Sequence, residues 1–452
     1  MAAIMRLANY NQTTTYDLLA GTLRVLQNSH NTRRAGNGTV VETMVIGGSA
    51  TDANIKTALN AIDEFAEMAR LFPENKQTWR SAWYEASYDG EVSKRSFIHD
   101  IQLTPLHPSK YHGMILGKGA ARYELAITRS DKWEAYAASS AVTGSSVSTL
   151  AGLVTLNAIG GDVPARIERI TFTGTAGGGG PVDRIWAGIS PLSTGKGSFS
   201  GLWECEDGTL GATASTTTVS TATGGSPNAV SIAPDSTVRD VVRQSVGQML
   251  GSNYNHMIGR YLVLLRYKLS AAENVFLYGR YGYADNLADM SKPKLVTNTA
   301  WRFIELGEIR VPPFPLRQAA LDLFGGNTAY QFILNILAYK EAGAGAVTLY
   351  ADSLVLIPTN HWTYSENSAI QSTAGAATRT THFTFEDGEH LAVYQDASSI
   401  PQAGLTPGFR NWHLPIEGGV LVIAGERDAA QVTTDKVNVS VVYKKRFRDI
   451  TE

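Results

Sequence analysis

Apolar and polar residues alternate along much of this chain with a period of two, the spacing of half-buried strands. Tyr123, Leu125 and Ile127 alternate with Glu124 and Ala126. Val437, Val439 and Val441 alternate with Asn438, Ser440 and Val442. Phe97, His99, Ile101 and Leu103 are predicted to share one strand face, with Ile98 and Asp100 on the other. One segment departs from this rule. Ile55, Leu59, Ile62, Phe65, Ala66 and Met68 recur at three- and four-residue steps, which predicts a helix. Thr51 or Asp52 can cap its start by accepting backbone N–H bonds. Arg70 suits its C-terminal end, and Pro73 is predicted to stop it. With a single apolar face, this helix should pack on a sheet.

The same reading divides the chain into three parts. Residues 1–140 form a β-domain with the one helix, either a barrel or a sandwich. Tyr16, Leu18, Leu23 and Val25 are core candidates, and Thr39–Ile46 is a strand. Trp79–Tyr88 and Glu91–Leu103 read as a hairpin around Asp89-Gly90, a favoured two-residue turn. Residues 137–161 carry no charge, and a linker is expected near Ala138–Gly144. Residues 145–360 form a large β-sandwich of the jelly-roll kind, built from short strands with Gly and Pro turns. Tyr261–Leu269 and Val275–Tyr283 read as a strand pair. Residues 208–234 read as a long surface loop and Asp235–Leu250 as a short helix. Residues 361–452 read as a third β-segment, or as strands that complete the first domain. The basic end, Lys444-Lys445-Arg446-Phe447-Arg448, reads as a solvated terminus, with an assembly contact as the sharper alternative. The expected class is therefore mainly β.

Composition narrows the function more than the fold. The chain has 452 residues, and a length prior gives about three domains. Charged residues are 18%, below the roughly 25% of an average soluble protein. Lys+Arg 39 against Asp+Glu 41 leaves −2, which argues against a nucleic-acid partner. Cys205 is the one cysteine, so no intrachain disulfide can form and a packed thiol is expected. Apolar runs such as Tyr261–Leu265 fall short of the ~18 residues of a membrane span. The first residues show no apolar signal core. Catalytic motifs are missing. Gly195-Lys196-Gly197-Ser198 lacks the order of a phosphate-binding loop, and Phe199 stands where a nucleophile elbow needs Ser. The nine histidines, including His107, His112, His382 and His390, lack metal-ligand spacing. The chain is therefore not expected to be an enzyme. Glu204 and Glu206 are the most informative pair. At i and i+2 on a strand they would point to one face, where like charges repel unless water or a cation separates them. The face is either solvated, or part of a Ca²⁺ site with a distant third carboxylate.

Two resemblances add to this reading. Trp203-Glu-Cys-Glu206, Gly259-Arg-Tyr-Leu-Val-Leu-Leu-Arg-Tyr267 and Leu349-Tyr-Ala-Asp-Ser-Leu-Val-Leu-Ile357 resemble strands of jelly-roll carbohydrate-binding modules, with Val263 in a slot that usually holds Leu. That resemblance implies a structural Ca²⁺ held by Glu204, Glu206 and Asp352. The sugar-contacting aromatic positions of such modules are not matched. The Trp79–Leu103 hairpin, the Ala121–Glu134 segment and the terminal Val437–Tyr443 strand with its basic end resemble tailed-phage virion proteins of the distal-tail kind. That resemblance implies a ring-forming homo-oligomer in the virion, assembled in the host cytoplasm and contacting other tail or capsid proteins. A capsid decoration or fibre protein is an alternative, as is a receptor-recognition protein that binds host-surface glycans. Low charge suits either role, because interface cores are depleted in charged residues.

Overall fold

The computed structural model describes the chain from Ala3 to Arg448, apart from residues 11, 28, 37, 76–80, 88–90, 107–113, 116–119, 137–138, 149, 161, 176–183, 191–200, 223–226, 246–258, 284–285, 312–331, 360–361, 367–375, 383–392, 396–400, 404–412, 415, 417 and 428–435. The fold is mainly β, with sandwich sheets and one long helix, Asp52–Asn75. In the first unit, the strands Ile4–Asn9, Ala82–Ser87 and Lys94–Pro105 are hydrogen-bonded in that order. Lys94–Pro105 continues to Ala120–Ser130, then Thr39–Ser49, then the edge strand Asn31–Gly36. The helix lays Ile55, Ile62 and Phe65 on this sheet, all fully buried. Each such side chain contributes about 1.5–3 kcal/mol by burial. Thr51, rather than Asp52, is the cap: its Oγ1 accepts the Asn54 N–H at 3.3 Å. The helix passes Pro73 by two residues before ending, within the usual scatter of a fraying last turn.

The hairpin forms as expected, with Trp83 opposite Phe97 and Ala86 opposite Lys94. Its Asp89-Gly90 turn lies outside the described residues. The single-face reading of the second strand does not hold. A register shift between Ile98 and Asp100 marks a β-bulge, which reverses the alternation. Phe97 therefore packs on Trp83 outside the main core, while Ile98 and Ile101 both enter it.

The second unit combines residues from both sides of the jelly roll. Ser139–Ser148, Val163–Thr175, Ala376–His382 and the closing strand Lys436–Phe447 extend the first sheet. Ala151–Leu156, Gly419–Glu426, Arg184–Ser190 and Trp362–Glu366 form the opposing sheet. Ile167, Phe172, Ile185, Ile423 and Val439 fill the space between. The stretch expected to be a linker is thus a strand, Ser139–Ser148, paired with Lys436–Phe447. Ser, Thr and Val suit a strand, and a partner near the other end of the chain leaves no local signal. The closing strand also pairs with Trp133–Ala135 of the first unit, so it joins both units.

Residues 201–358 form the jelly roll. One sheet runs Ser215–Thr218, Asn228–Ile232, Leu349–Pro358, Gly259–Leu269, Arg302–Val311. The other runs Thr209–Leu210, Arg239–Ser245, Phe332–Lys340, Val275–Tyr283, Asn286–Asp289. Three expectations change here. Residues 208–234 hold three short strands rather than one loop. Arg239–Ser245 is a strand rather than a helix, with Val241 and Val242 in the core. Gly259–Leu269 and Val275–Tyr283 lie in opposite sheets and face each other across the core instead of pairing. The chain enters the jelly roll at Gly201, whose φ is +87° and where a Cβ would lie 2.8 Å from Val422 Cγ2. That contact belongs to an apolar seam. Leu262, Leu264, Val355 and Ile357 of the jelly roll pack on Trp186, Val422 and Ala424 of the second unit. Beside the seam, Glu426 accepts the Phe303 N–H at 2.7 Å and pairs with Arg184.

Candidate functional site

The strand Leu202–Glu204 ends at Glu204, and Cys205–Asp207 follows as one 3₁₀ turn. Glu204 and Glu206 therefore do not share a strand face; the turn brings them together. Trp203 and Cys205 point into the jelly-roll core, so the thiol is packed as expected. Glu204 lies opposite Ser353 in the ladder. Asp352 is its neighbour, fully buried at a bulge between the pairs Leu265–Leu354 and Tyr267–Ala351. The bulge sets Asp352 against Arg266, and the two form a fully desolvated ion pair. Arg266 also donates to the Thr221 carbonyl at 3.1 Å and stacks over Trp301, 4.5 Å from the ring centre.

The three acidic residues thus sense one another's charge, but on unequal terms. Asp352 has a cation. Glu204 Oε2 and both Glu206 carboxylate oxygens are buried with no hydrogen-bond partner. Burial pushes the Glu204 carboxyl up to about 8, helped by Asp352, Glu206 and Asp207 and opposed by Arg266. Burial and Asp352 push Glu206 up to about 7. Hard carboxylate oxygens suit Ca²⁺. Among the described residues, however, no three His, Cys, Asp or Glu side chains group closely enough to share one ion, and Arg266 holds the Asp352 oxygen.

The raised values fix a sign. Both acids keep their protons in the fold at pH values where the unfolded chain, near 4.5, has lost them. Their contribution is complete below about 4.5 and is lost as pH rises through 7 to 8. In chelator, the melting temperature should fall between pH 5 and pH 8.5, and E204Q/E206Q should flatten that fall. An equally steep fall in the double variant would show that other groups carry it.

A second arrangement escaped the sequence reading. On the outer face of the other jelly-roll sheet, Phe276 stacks on Tyr339 with centroids 4.9 Å apart and planes at 11°. Across the ladder from Phe276 stands Leu295, 54% exposed. Next along lies Tyr278, then Arg280, held by Asp289 at 2.6 Å. Asn335, opposite Arg280, is buried. Its amide donates to Asp240 at 2.8 Å, and its Oδ1 has no partner. The signal was there: Phe276, Tyr278 and Arg280 alternate with Val275, Leu277 and Gly279. The Tyr339 and Asn335 neighbours needed the register.

The basic end is not a solvated terminus. Its first four residues lie within the closing strand, where Lys444 and Arg446 are buried, and Arg448 just beyond is exposed. Lys444 Nζ donates to the Tyr136 carbonyl at 2.7 Å. Close by, Glu134 accepts two bonds from Arg166, at 2.8 and 2.6 Å, and one from Arg95 at 3.2 Å. Burial alone would raise the Glu134 carboxyl; Arg166, then Arg95 and Lys444, override it and hold it at about 2. Of the histidines, His30 bonds Glu42 and His99 bonds Ser130. His107, His112, His390 and the 195–199 segment lie outside the described residues. No helix among the described residues is long and apolar enough to cross a membrane.

No protein family matches the chain, and no curated protein matches it in sequence. Among solved structures, the CBM22-1–GH10 modules of xylanase 10B from Clostridium thermocellum, complexed with xylohexaose, are 13% identical with a TM-score of 0.22. That match covers 37% of this chain and 27% of the xylanase. A Paenibacillus xanthan lyase is 8% identical with a TM-score of 0.26, over 93% of this chain and 39% of the lyase. The Gx strain of infectious bursal disease virus gives 10% and 0.18, over 68% and 81%. At such TM-scores these likenesses assign neither a fold family nor a function.

Proposed function

We propose that the protein is a structural component of a bacteriophage virion, a distal-tail protein that forms a ring, links the tail tube to adsorption proteins and is assembled in the host cytoplasm. The observation that carries this reading is the closing strand Lys436–Phe447, which joins the first and second units into one sheet. An apolar seam also packs the jelly roll on the second unit, an arrangement that favours a stiff block over hinged modules. Stiff, low-charge blocks suit assembly into symmetric particles. Native mass spectrometry should show a closed homo-oligomer at micromolar concentration, and particle imaging should place it at the tail tip. A monomer at every concentration would overturn the reading, and label on the capsid would move it to a decoration or fibre role.

A second reading, glycan binding, has its own observation in the Phe276–Tyr339 stack beside Arg280 and Asn335. Aromatic faces pack on sugar rings, and the amide and guanidinium can bond hydroxyls. On a glycan array, F276A and N335A should each lower binding at least tenfold; no binding by the parent protein removes this reading. A structural Ca²⁺ is proposed at Glu204 and Glu206, with Asp352 beside them. At pH 8, where the two glutamates can ionise, chelation should lower the melting temperature and added Ca²⁺ restore it. An unchanged melting curve removes the ion.

A further inference from the structure

The edge strand Asn31–Gly36 buries nothing: all six of its residues are exposed. Among the described residues, its ladder hydrogen bonds go to Thr39–Ser49 alone. An open, solvent-washed strand of this kind ordinarily frays. This one is pinned from beneath. Glu42, in the middle of Thr39–Ser49, is buried. Its Oε2 accepts Thr32 Oγ1 at 2.6 Å and bonds His30 Nε2 at 2.7 Å. Its Oε1 accepts two bonds from Arg129, also buried, one of them 2.9 Å from Nε. A buried ion pair is thus committed to a strand that adds no apolar burial. That is the arrangement of a surface held ready for a partner, since ordering it beforehand lowers the cost of association.

The strand's chemistry identifies the partner. Arg33 and Arg34 project to its two faces, Arg24 lies on the neighbouring short strand, and the three form no ion pair among the described residues. On the sheet face of the same unit, the helix exposes mostly the opposite sign, three carboxylates beside the two cations Lys56 and Arg70. The helix packs mainly over Lys94–Pro105, away from the edge strand. Its outer face presents Asp63, Glu64 and Glu67, all exposed and likewise unpaired among the described residues. Charged edge strands commonly serve only to repel unwanted pairing. That role needs no buried anchor, and it does not account for the exposed carboxylates of the helix.

We infer that the edge strand Asn31–Gly36 docks, through Arg33 and Arg34, on the Asp63/Glu64/Glu67 ridge of a second copy. The contact is heterologous, the type that closes into rings. It rests on the reading above that copies associate, and the test separates the two. R33E/R34E and E64R/E67R are made in the full chain, with circular dichroism to confirm that each folds. Each variant alone should be at least tenfold weaker in self-association by native mass spectrometry and sedimentation. Their equimolar mixture should reassemble, because the acidic edge then meets the basic ridge and the basic edge the acidic ridge. Parent assembly should weaken with salt, as exposed charge contacts do. If the parent assembles and the variants assemble equally well, or if their mixture stays apart, this contact is overturned and the ring reading survives. If the parent is monomeric at every concentration, both fall.

Discussion

Glu134→Gln should destabilise the protein by about 3–5 kcal/mol, the cost of removing one partner from a buried ion network. The carboxylate is the hub on which Arg166 and Arg95 converge, with Lys444 behind them. Glutamine keeps the shape and one acceptor oxygen but leaves the cations without their anion in a desolvated site. The damage should spread, because the hub joins three distant stretches of sequence: Arg95 from the hairpin, Arg166 from the second unit and Lys444 from the closing strand. Urea unfolding should show a lower midpoint, and proteolysis should attack the last strand first. The pH dependence gives an independent check. With its folded value held at about 2, below the ordinary 4.5, Glu134 contributes stability that is present above 4.5 and lost as pH falls through 2. By linkage that is about 3 kcal/mol, and E134Q should lose the matching acid-side slope. A variant within about 1 kcal/mol of the parent would mean that the network is solvated.

How far this hub could be read in the sequence shows where local pattern ends. The helix was legible because Ile55, Ile62 and Phe65 repeat at its own period, and all three are buried. The long jelly-roll strands were legible as apolar runs, Tyr261–Leu269 and Leu349–Ile357 among them, and the short ones between 209 and 245 were not. Pairing was not. A short connection between Leu269 and Val275 reads locally as a hairpin, yet it equally well spans the gap between two sheets. The basic end misleads for a related reason. Lys444 and Arg446 look like a solvated run until Glu134, three hundred residues earlier, lies beside them. Glu204 and Glu206 were picked out by residue type alone. What makes them unusual is the 3₁₀ turn and the Asp352 bulge, neither of which leaves a periodic mark. The aromatic stack is half legible, with Phe276 in a visible alternation and Tyr339 supplied only by the register.

The second large effect lies at that bulge, and a double-mutant cycle isolates it. Arg266 and Asp352 are both fully buried, so either single loss strands the other's charge. Asp352→Asn should cost about 3–5 kcal/mol. Arg266→Met should cost at least as much, for two further reasons. It removes the cation that opposes the field on Glu204, leaving Asp352, Glu204, Glu206 and Asp207 to repel one another. It also frees the Thr221 carbonyl and the face of Trp301, and with them the loop that Trp301 Nε1 holds through Thr221 Oγ1 at 2.7 Å. The double variant, R266M/D352N, has no buried charge at the bulge. It should recover much of the loss, because neither substitution then leaves a stranded charge. The coupling energy should therefore be large, with the single effects summing to well above the double. The charge balance makes the two single variants differ in a further way. D352N removes a negative neighbour, so Glu204 and Glu206 should ionise more readily and the fall in stability between pH 5 and 8.5 should flatten. R266M removes the opposing cation, so that fall should steepen. Equal pH slopes in the two variants would show that the glutamates do not sense this pair, and additive single effects would show that Arg266 and Asp352 act separately.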